Sequence, residues 1–313
     1  MSIDGRPQAP LLSNPRADRV KEVARLAGRP SRLKTGTFLA EGPQAVREAL
    51  SAHRAAAAAG GPAVVAQVYA TGACLDRLPE LADLARGLPL RLATDEVLAA
   101  MADTVNPQGI VAVCHIPSPR LEDVLDAGAR LIAVLCEVRD PGNAGTILRA
   151  ADSAGADAVV LTRSSVDIHN PKAVRSTAGS LFHLPVITGQ DFDVLVGQLR
   201  ERGITLLAAD GYGSADLDVL QDEAALRRLA FRDAGTGSGM DAIDPAGEAP
   251  GSGPRLEAAT AWLFGNEAQG LSDAELAAAD HRVAVPIYGE AESLNVGTAA
   301  TVCLYASARA QRR

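Results

Sequence analysis

Short apolar runs alternate with amphipathic stretches along most of the chain, a pattern that predicts an α/β protein. In the second half the apolar runs are nearly continuous, which is typical of parallel strands buried on both faces. The predicted strands of this half span residues 131–137, 158–161, 184–187, 204–209, 260–264 and 281–286. The predicted helices span residues 144–153, 171–179, 192–202, 272–279 and 294–310. This half is therefore expected to form a parallel sheet covered by helices.

The first half alternates in the same way over fewer residues and predicts a small α/β sandwich. A basic helix over residues 16–27 is expected to end at the Gly28-Arg29-Pro30 sequence. The remaining predicted strands span residues 38–40, 63–70, 88–93 and 109–115, and the predicted helices span residues 43–59, 77–86 and 95–101. Thr94 is expected to cap the last of these helices.

Three stretches lack this periodicity and divide the chain into domains. Residues 1–15 are rich in proline and predict a flexible tail. Residues 116–128 begin with a Pro-Ser-Pro break and are expected to link a domain over residues 16–115 to a second domain over residues 129–313. Residues 233–257 contain six glycines and three prolines, a composition that favours a flexible insertion.

Composition excludes several classes of protein. The 313 residues are 47% hydrophobic, which is enough for two cores and argues against general disorder. No apolar run approaches the roughly 18 residues of a membrane span, and the polar start of the chain does not resemble a secretory signal, so we expect a cytoplasmic protein. The four cysteines lie far apart and the five histidines show no ligand spacing, so we expect no metal site.

Charge is distributed unevenly along the chain. The net charge is −8, but residues 16–34 carry seven bases and only two acids. A cationic segment on an acidic protein is compatible with phosphate binding, and Arg25, Arg29, Arg32 and Lys34 are the candidate contacts. A basic helix is also typical of a solvated face, so charge alone leaves nucleic-acid binding open.

Polar clusters follow three of the predicted strands, at the edge where α/β sheets bind ligands. Residues 139–149 place Asn143 at an expected helix N-cap and Arg149 almost two turns further on. In residues 263–271, Gly265 permits a close approach of a ligand, and Glu267 is a poor choice for a purely structural turn. In residues 285–297, Ser293 is a plausible N-cap and Asn295 adds a second polar group. Each cluster alone also fits an ordinary turn and a capped helix.

Taken together and in this order, the clusters resemble one family. The motifs N-x-G-x-x-x-R, G-N-E-x-x-G-L and P-I…S-L-N-V, with residues 170–185 between them, are similar to the SpoU (TrmH) branch of the SPOUT RNA 2′-O-ribose methyltransferases. The resemblance covers about residues 130–310. The first half is similar to the ribosomal-protein-like substrate-binding domain of that family. Two departures are Gly297, where serine is common, and the long insertion at residues 233–257.

The resemblance implies a fold, a cofactor and a set of site residues. It implies a trefoil knot in the second domain, a homodimer formed through the knot, and an active site that draws on both subunits. It implies S-adenosylmethionine as the methyl donor. Matching positions for the cofactor pocket are Gly265, Val285, Ile287 and Leu294, and matching active-site positions are Asn143, Arg149, Glu267, Ser293 and Asn295.

These residue types suit ribose methylation without a metal ion. The 2′-hydroxyl must be held in line with the methyl group and must lose its proton as the new bond forms. Arg149 is an unusual base because a guanidinium holds its proton tightly, and it is equally suited to binding a phosphate and stabilising developing negative charge. Ribosomal RNA is the favoured substrate because of the first domain.

Three alternative functions are left open by the sequence to different degrees. A tRNA 2′-O-methyltransferase would use the same site residues. A non-catalytic RNA-binding or ribosome-assembly factor would use the same scaffold, although retention of all five active-site positions argues against it. A dinucleotide-dependent oxidoreductase is disfavoured because no G-x-G-x-x-G sequence opens a helix.

Overall fold

The computed structural model describes residues 10–234 and 253–312, without the side chains of residues 231–234. The chain divides into two compact units. Unit 1 contains the described residues up to Ser118 together with Asp167–His183, and unit 2 contains Pro119–Val166 and the described residues from Leu184 onward. The division after Ser118 falls inside the predicted linker. Asp167–His183 belongs to unit 1, whereas the sequence pattern predicted that it lies in the second domain.

The secondary structure follows the predicted alternation. The strands are β1 Thr37–Glu41, β2 Val65–Ala70, β3 Leu90–Leu92, β4 Ile110–His115, β5 Leu131–Leu135, β6 Ala158–Thr162, β7 Val186–Gln190, β8 Thr205–Ala209, β9 Ala215–Asp216, β10 Thr260–Phe264 and β11 His281–Ala284. The α-helices are α1 Asp18–Ala24, α2 Arg29–Thr35, α3 Pro43–Ala58, α4 Gly72–Arg77, α5 Pro79–Leu84, α6 Asp95–Met101, α7 Leu121–Asp126, α8 Pro141–Ala154, α9 Pro171–Ser176, α10 Phe192–Glu201, α11 Leu217–Ala234, α12 Asp273–Ala278 and α13 Val296–Gln311.

Unit 1 is built on a four-stranded mixed sheet in the order β1-β4-β2-β3. Strand β4 is antiparallel to β1 and β2, and β3 is parallel to β2. Thr94 caps α6 as expected, accepting a hydrogen bond from the N–H of Val97. Leu12 lies in the predicted tail but exchanges backbone hydrogen bonds with Leu92 and Thr94. Residues 1–9 of that predicted tail, and residues 235–252 of the predicted insertion, lie outside the described residues.

The basic segment differs from the single predicted helix. Helix α1 ends at Ala24, a 3-10 turn follows over Arg25–Ala27, and α2 then begins at Arg29. Pro30 lies in the first turn of α2, where the missing N–H costs nothing because such groups have no partner within the helix. The proline therefore lies at the start of a second helix, which was not predicted from the sequence, and not at the end of the first.

The assignment of Arg32 as an RNA contact is wrong. Its side chain is only 2% exposed. The guanidinium donates to the Asp167 carboxylate at 2.7 Å and to the carbonyl oxygens of Leu26 and Ala27, both at 2.7 Å. A buried cation needs such full hydrogen bonding, and this one ties Asp167–His183 into unit 1. Arg25, Arg29 and Lys34 are exposed.

Unit 2 confirms the predicted parallel sheet. Its seven strands run in the order β7-β6-β5-β10-β8-β11-β9, and each neighbouring pair is parallel. The central strands β5 and β10 are buried along their whole length. Three elements were missed: α7, whose Leu121 and Leu125 are buried although the segment is acidic, and β9 with α11.

Candidate active site

Three loops leave the carboxyl edge of the unit 2 sheet, after β5, β10 and β11. Strands β5 and β10 are neighbours, and the N–H of Cys136 continues their pairing by donating to the carbonyl oxygen of Phe264 at 2.8 Å. Because parallel strands end at a common edge, the loops that follow them meet there. These loops carry the three predicted motifs.

Glu137 begins the first loop in a conformation that side-chain-bearing residues rarely adopt, with φ at +53°. Its N–H donates to the Thr162 hydroxyl at 3.1 Å, and its carbonyl oxygen accepts from the Asn266 amide at 3.1 Å. Strained backbone of this kind persists only where the surroundings fix it. The two hydrogen bonds therefore set the path of the chain into the first motif.

Glu267, from the loop after β10, holds the first loop through three hydrogen bonds. Its carboxylate accepts from the backbone N–H groups of Arg139 and Asp140 at 3.3 and 3.2 Å, and from the Asn143 amide at 3.1 Å. Partial burial disfavours the charged carboxylate, but the hydrogen bonds outweigh this effect and keep the pKa of Glu267 below its usual range. Glu267 is therefore an ionised acceptor at neutral pH and a weak base.

Asn143 links this carboxylate to the third loop. While its amide donates to Glu267, its carbonyl oxygen accepts from the Asn295 amide at 3.0 Å. Asn295 in turn accepts from the N–H of Gly297 at 2.9 Å and so caps α13. We call Glu267, Asn143 and Asn295 the site chain. The structure thus joins three of the five predicted active-site residues, one from each loop.

Two predicted helix caps are wrong. Asp140, not Asn143, caps α8, and its carboxylate accepts from the N–H of Asn143 at 2.8 Å. Asn295, not Ser293, caps α13. With Asp140 satisfying the helix end, the Asn143 side chain is left to bridge two loops. Ser293 is exposed and makes no hydrogen bond to another described residue.

Arg149 lies apart from the site chain. It is exposed on α8, six residues beyond Asn143 and thus about 9 Å further along the helix axis. Its side chain makes no hydrogen bond or ion pair with another described residue. A guanidinium offers five N–H donors in a planar fork, so Arg149 is available to an anionic ligand.

Gly265 is required by its own loop. A Cβ atom there would lie 2.5 Å from the carbonyl oxygen of Gly270 and closer still to that carbonyl carbon. The loop closes tightly because Asn266 and Gly270 exchange two backbone hydrogen bonds, at 2.9 and 2.8 Å. The sequence predicted that this glycine leaves space for a ligand. In the structure, the missing side chain leaves space for the backbone of residues 270 and 271.

Gly297 has an equally specific neighbour. A Cβ atom there would lie 2.8 Å from the Cγ2 atom of Thr146 on α8. A glycine at this position lets α13 pack closely against α8. Gly297 departs from the family motif, and Thr146 of the same unit occupies the space that a side chain at residue 297 would need.

The remaining predicted cofactor positions lie in the irregular loop after β11. Val285 is half-buried, whereas Ile287 and Leu294 are 38% and 37% exposed. Backbone N–H groups of residues 287–294 donate to no backbone acceptor within the described residues. Apolar side chains beside free backbone donors and acceptors fit a ligand that has both an apolar ring and polar edges, such as adenosine.

Three residues that position the loops, Asp140, Asn266 and Thr162, were not predicted from the sequence. An available signal was the Asp140-Pro141 pair, since proline favours the first position of a helix and aspartate favours the cap before it. Among the described residues, no group of three or more histidine, cysteine, aspartate or glutamate side chains has the arrangement of a metal site. In the same part of the chain, no helix combines the length and hydrophobicity of a membrane span.

Comparison with known proteins covers both units. The model of the SpoU rRNA Methylase family matches residues 130–305, and that of the MRM3-like substrate binding domain matches residues 17–112. The chain is 33% identical to the 23S rRNA (guanosine(2553)-2′-O)-methyltransferase RlmP of Bacillus subtilis, over 94% of this chain and 97% of that protein. It is 30% identical to a 23S rRNA (uridine(2479)-2′-O)-methyltransferase of Streptomyces viridochromogenes, over 74% and 70%.

Solved structures of methyltransferases superimpose on nearly the whole of this chain. The SpoU methyltransferase AviRb of Streptomyces viridochromogenes, crystallised with the cofactor AdoMet, superimposes with a TM-score of 0.70 at 26% identity, covering 94% of this chain and 98% of that one. An RNA 2′-O ribose methyltransferase superimposes with a TM-score of 0.71 at 26% identity, covering 97% and 99%.

Proposed function

This chain belongs to the SpoU rRNA methylase family, and from that membership we propose that it transfers a methyl group from S-adenosylmethionine to a ribose 2′-oxygen of 23S ribosomal RNA. The observation that carries the proposal is the site chain, which joins all three motif loops through Asn143. Similarity over nearly the full length to RlmP supports 23S rRNA as the substrate.

The reaction forms one bond and breaks another. S-adenosylmethionine, when bound, supplies a methyl group on a positively charged sulfur. Attack of the ribose 2′-oxygen on that methyl carbon would release S-adenosylhomocysteine, and the hydroxyl proton would pass to solvent. Asn143, fixed by Glu267 and Asn295, orients the ribose, and the ionised Glu267 keeps the loops in place. We assign Arg149 to binding the phosphate and stabilising the developing charge on oxygen.

Ser293 and the cofactor positions complete the assignment. Ser293 is exposed next to the site chain and offers a hydroxyl to the ribose. Ile287, Leu294 and the half-buried Val285 would contact the adenine, and Gly265 shapes the loop after β10.

We also propose a homodimer formed through a trefoil knot in unit 2, with an active site shared between subunits. Arg149 supports this assembly, because it is exposed and has no partner in the site chain of its own subunit within the described residues. Val302 and Tyr305 on α13 are 37% and 49% exposed and suit an apolar interface. Sedimentation of Tyr305→Arg tests this: we expect monomers that have lost methyl transfer, and a dimer of unchanged activity contradicts it.

For unit 1 we propose RNA binding through Arg25, Arg29 and Lys34, which are exposed on the basic segment. Reversing the charge of each residue to glutamate should weaken RNA binding and reduce its salt dependence, since fewer counterions are released. Arg86→Glu makes the same change of charge at another exposed position of unit 1 and should have a smaller effect. An unchanged salt slope would show that the basic segment is only a solvated face.

The methyl-transfer proposal is tested with ribosomal RNA from cells that lack the gene. The protein and tritiated S-adenosylmethionine should label 23S rRNA, and mapping should place the label on one 2′-oxygen. Label in tRNA instead would change the substrate class. RNA binding without label would identify a non-catalytic factor. The proposed place of action is the cytoplasm.

A further inference from the structure

A cavity of about 280 Å³ opens in unit 1 and is lined by none of the residues assigned to methyl transfer. It lies where the end of β1 meets the first turn of α3, and the loop before β4 and helix α9 complete its walls. Its lining includes Glu41, Gly42, Ala45, Asn106, Gln108 and Arg175. Pockets for drug-sized ligands span roughly 300–1,000 Å³, so this cavity suits a smaller group.

The charged part of the wall is unsuited to a phosphate. The Glu41 side chain is 3% exposed and accepts from the N–H groups of Asp103 and Thr104 at 2.9 and 3.2 Å. Arg175 donates to Glu41 at 3.3 Å and to the Asp103 carboxylate at 3.0 Å. One guanidinium thus faces two carboxylates, and this group has a net charge of −1. A second anion would be repelled.

The wall is well suited to a neutral ligand that both donates and accepts hydrogen bonds. The carboxamides of Asn106 and Gln108 are exposed and make no side-chain hydrogen bond to another described residue. A carboxylate offers about four acceptor positions, and the three donors named above leave one position of Glu41 for a ligand N–H. In the first turn of α3, the N–H groups of Gln44 and Ala45 donate to no side chain of a described residue, so these two donors are also available.

The cavity also has an apolar component. Ala45, Ala102 and Ile110 contribute to its lining. A flat ring with donors and acceptors along its edges matches such a combination. Nucleobases have this chemistry, and proteins that read single-stranded RNA commonly hold splayed-out bases by hydrogen bonds to their edges.

We propose that this cavity holds one unstacked nucleobase of the RNA substrate and so contributes to choosing where the enzyme acts. The proposal rests on the proposed function, because it takes RNA to be the ligand of unit 1. The basic segment would attract the RNA backbone, whereas the cavity, with its net negative wall, would accept a base.

The test uses the full chain with S-adenosylhomocysteine at saturating concentration, so that nucleotides do not enter the cofactor site. The probes are the four nucleoside 5′-monophosphates and ribose 5-phosphate, and saturation-transfer NMR measures binding. Asn106→Trp adds bulk at the exposed mouth of the cavity. The matched control is Val105→Trp, an equal addition one residue earlier at a side chain that is 92% exposed and outside the cavity lining.

We expect at least one nucleotide to bind through its base protons, and ribose 5-phosphate not to bind. Asn106→Trp should weaken that binding by about tenfold or more, and Val105→Trp by less than about twofold, with both variants unfolding at the wild-type temperature. Binding of ribose 5-phosphate, equal binding by both variants, or no nucleotide binding would each overturn the proposal. If wild-type protein methylates RNA but binds no nucleotide, the cavity proposal fails and the proposed function stands. If the wild-type protein binds a nucleotide through its base but does not methylate RNA, the cavity proposal stands and the proposed function fails.

Discussion

The Asn295 amide donates to the carbonyl oxygen of Asn143 at 3.0 Å, although 152 residues separate the two in the chain. This bond joins the first turn of α8 to the cap of α13. Because Asn143 also donates to Glu267, this one side chain holds all three loops together through hydrogen bonds. A carboxamide can do this because it has both donors and an acceptor. Aspartate in its place would present a second carboxylate to Glu267.

Glu267→Ala should lower both stability and activity. It removes the acceptor of two backbone N–H groups and of the Asn143 amide, and each unsatisfied group costs about 1 kcal/mol or more. We expect a lower unfolding temperature and a kcat reduced by about tenfold or more. Glu267→Gln should be nearly as poor, because its NH2 group would face an N–H donor. Thermal unfolding and methyl-transfer assays measure both effects.

The matched control for Glu267 is Glu292→Ala, which removes an exposed carboxylate from the loop after β11. It should behave as wild type in both assays. If Glu267→Ala also behaves as wild type, the carboxylate does not hold the first loop.

Arg149→Ala should lower kcat by about 10²-fold or more, as is typical for loss of a charge-stabilising group. S-adenosylmethionine affinity should remain, because the proposed cofactor positions lie in the other two motifs. Arg149→Lys keeps the charge but loses the planar fork that binds a phosphate in two directions. If Arg149 orients the nucleotide, lysine should be nearly as poor as alanine. Rapid-quench kinetics and calorimetry separate these effects.

The control for Arg149 is Arg120→Ala, at a side chain that is 70% exposed in the same unit. Activity close to wild type is expected for this variant. Wild-type kcat in Arg149→Ala would identify Arg149 as an ordinary surface residue and remove it from the site.

Gly265→Ala should destabilise the protein even without cofactor. The added methyl group would overlap the backbone at Gly270, which cannot move without breaking the two hydrogen bonds that close the loop. A fall in unfolding temperature, together with weaker S-adenosylmethionine binding, is expected. Gly289→Ala is the matched control, because no atom lies within 4 Å of a Cβ at that glycine. Equal unfolding temperatures for the two variants would contradict the prediction.

The ion pair between Asp167 and Arg32 should make unit 1 sensitive to acid. Burial raises the pKa of Asp167, but hydrogen bonds from His169 and Arg32 outweigh it, and the net pKa lies well below its usual range. A depressed folded-state pKa gives stabilisation that is complete above the unfolded-state value of about 3.9 and is lost as pH falls below it. The unfolding free energy of wild type should therefore drop steeply below about pH 4.

Asp167→Asn should remove that part of the acid sensitivity. At pH 7 it should lower the unfolding free energy by about 3–5 kcal/mol, since it leaves the buried Arg32 without its counter-ion. Asp18→Asn changes a carboxylate that is 95% exposed and should leave both quantities nearly unchanged. Denaturant titrations between pH 3 and pH 7 measure this. A wild-type pH slope in Asp167→Asn would refute the role of the pair.

The sequence predicted the parallel sheet and the three loops because both depend on local signals. Apolar periodicity identifies buried strands, and glycine, proline and asparagine mark the turns after them. The burial of Arg32 was missed because its partner, Asp167, lies 135 residues further on. Helix α7 was missed because its acidic residues conceal the i, i+4 spacing of Leu121 and Leu125.

Cap assignments failed for a different reason. Asp140 and Asn143 are both good capping residues, and the sequence does not say which one faces the helix end. Once Asp140 takes that place, the Asn143 side chain is free, and its two partners lie 124 and 152 residues away. Long-range pairing of this kind follows from the tertiary structure and not from any local pattern.

The chain passes between the two units three times, after Ser118, Val166 and His183. A single recombination breakpoint between residues 118 and 119 would therefore take Arg32 from one parent and Asp167 from the other. Ala173 and Val174 are buried in α9, which contacts β1. After such a recombination they would pack against a strand from the other parent. Exchange of substrate specificity between relatives thus requires two segments to be inherited together, and residues 167–183 are expected to follow the ancestry of the N-terminal domain.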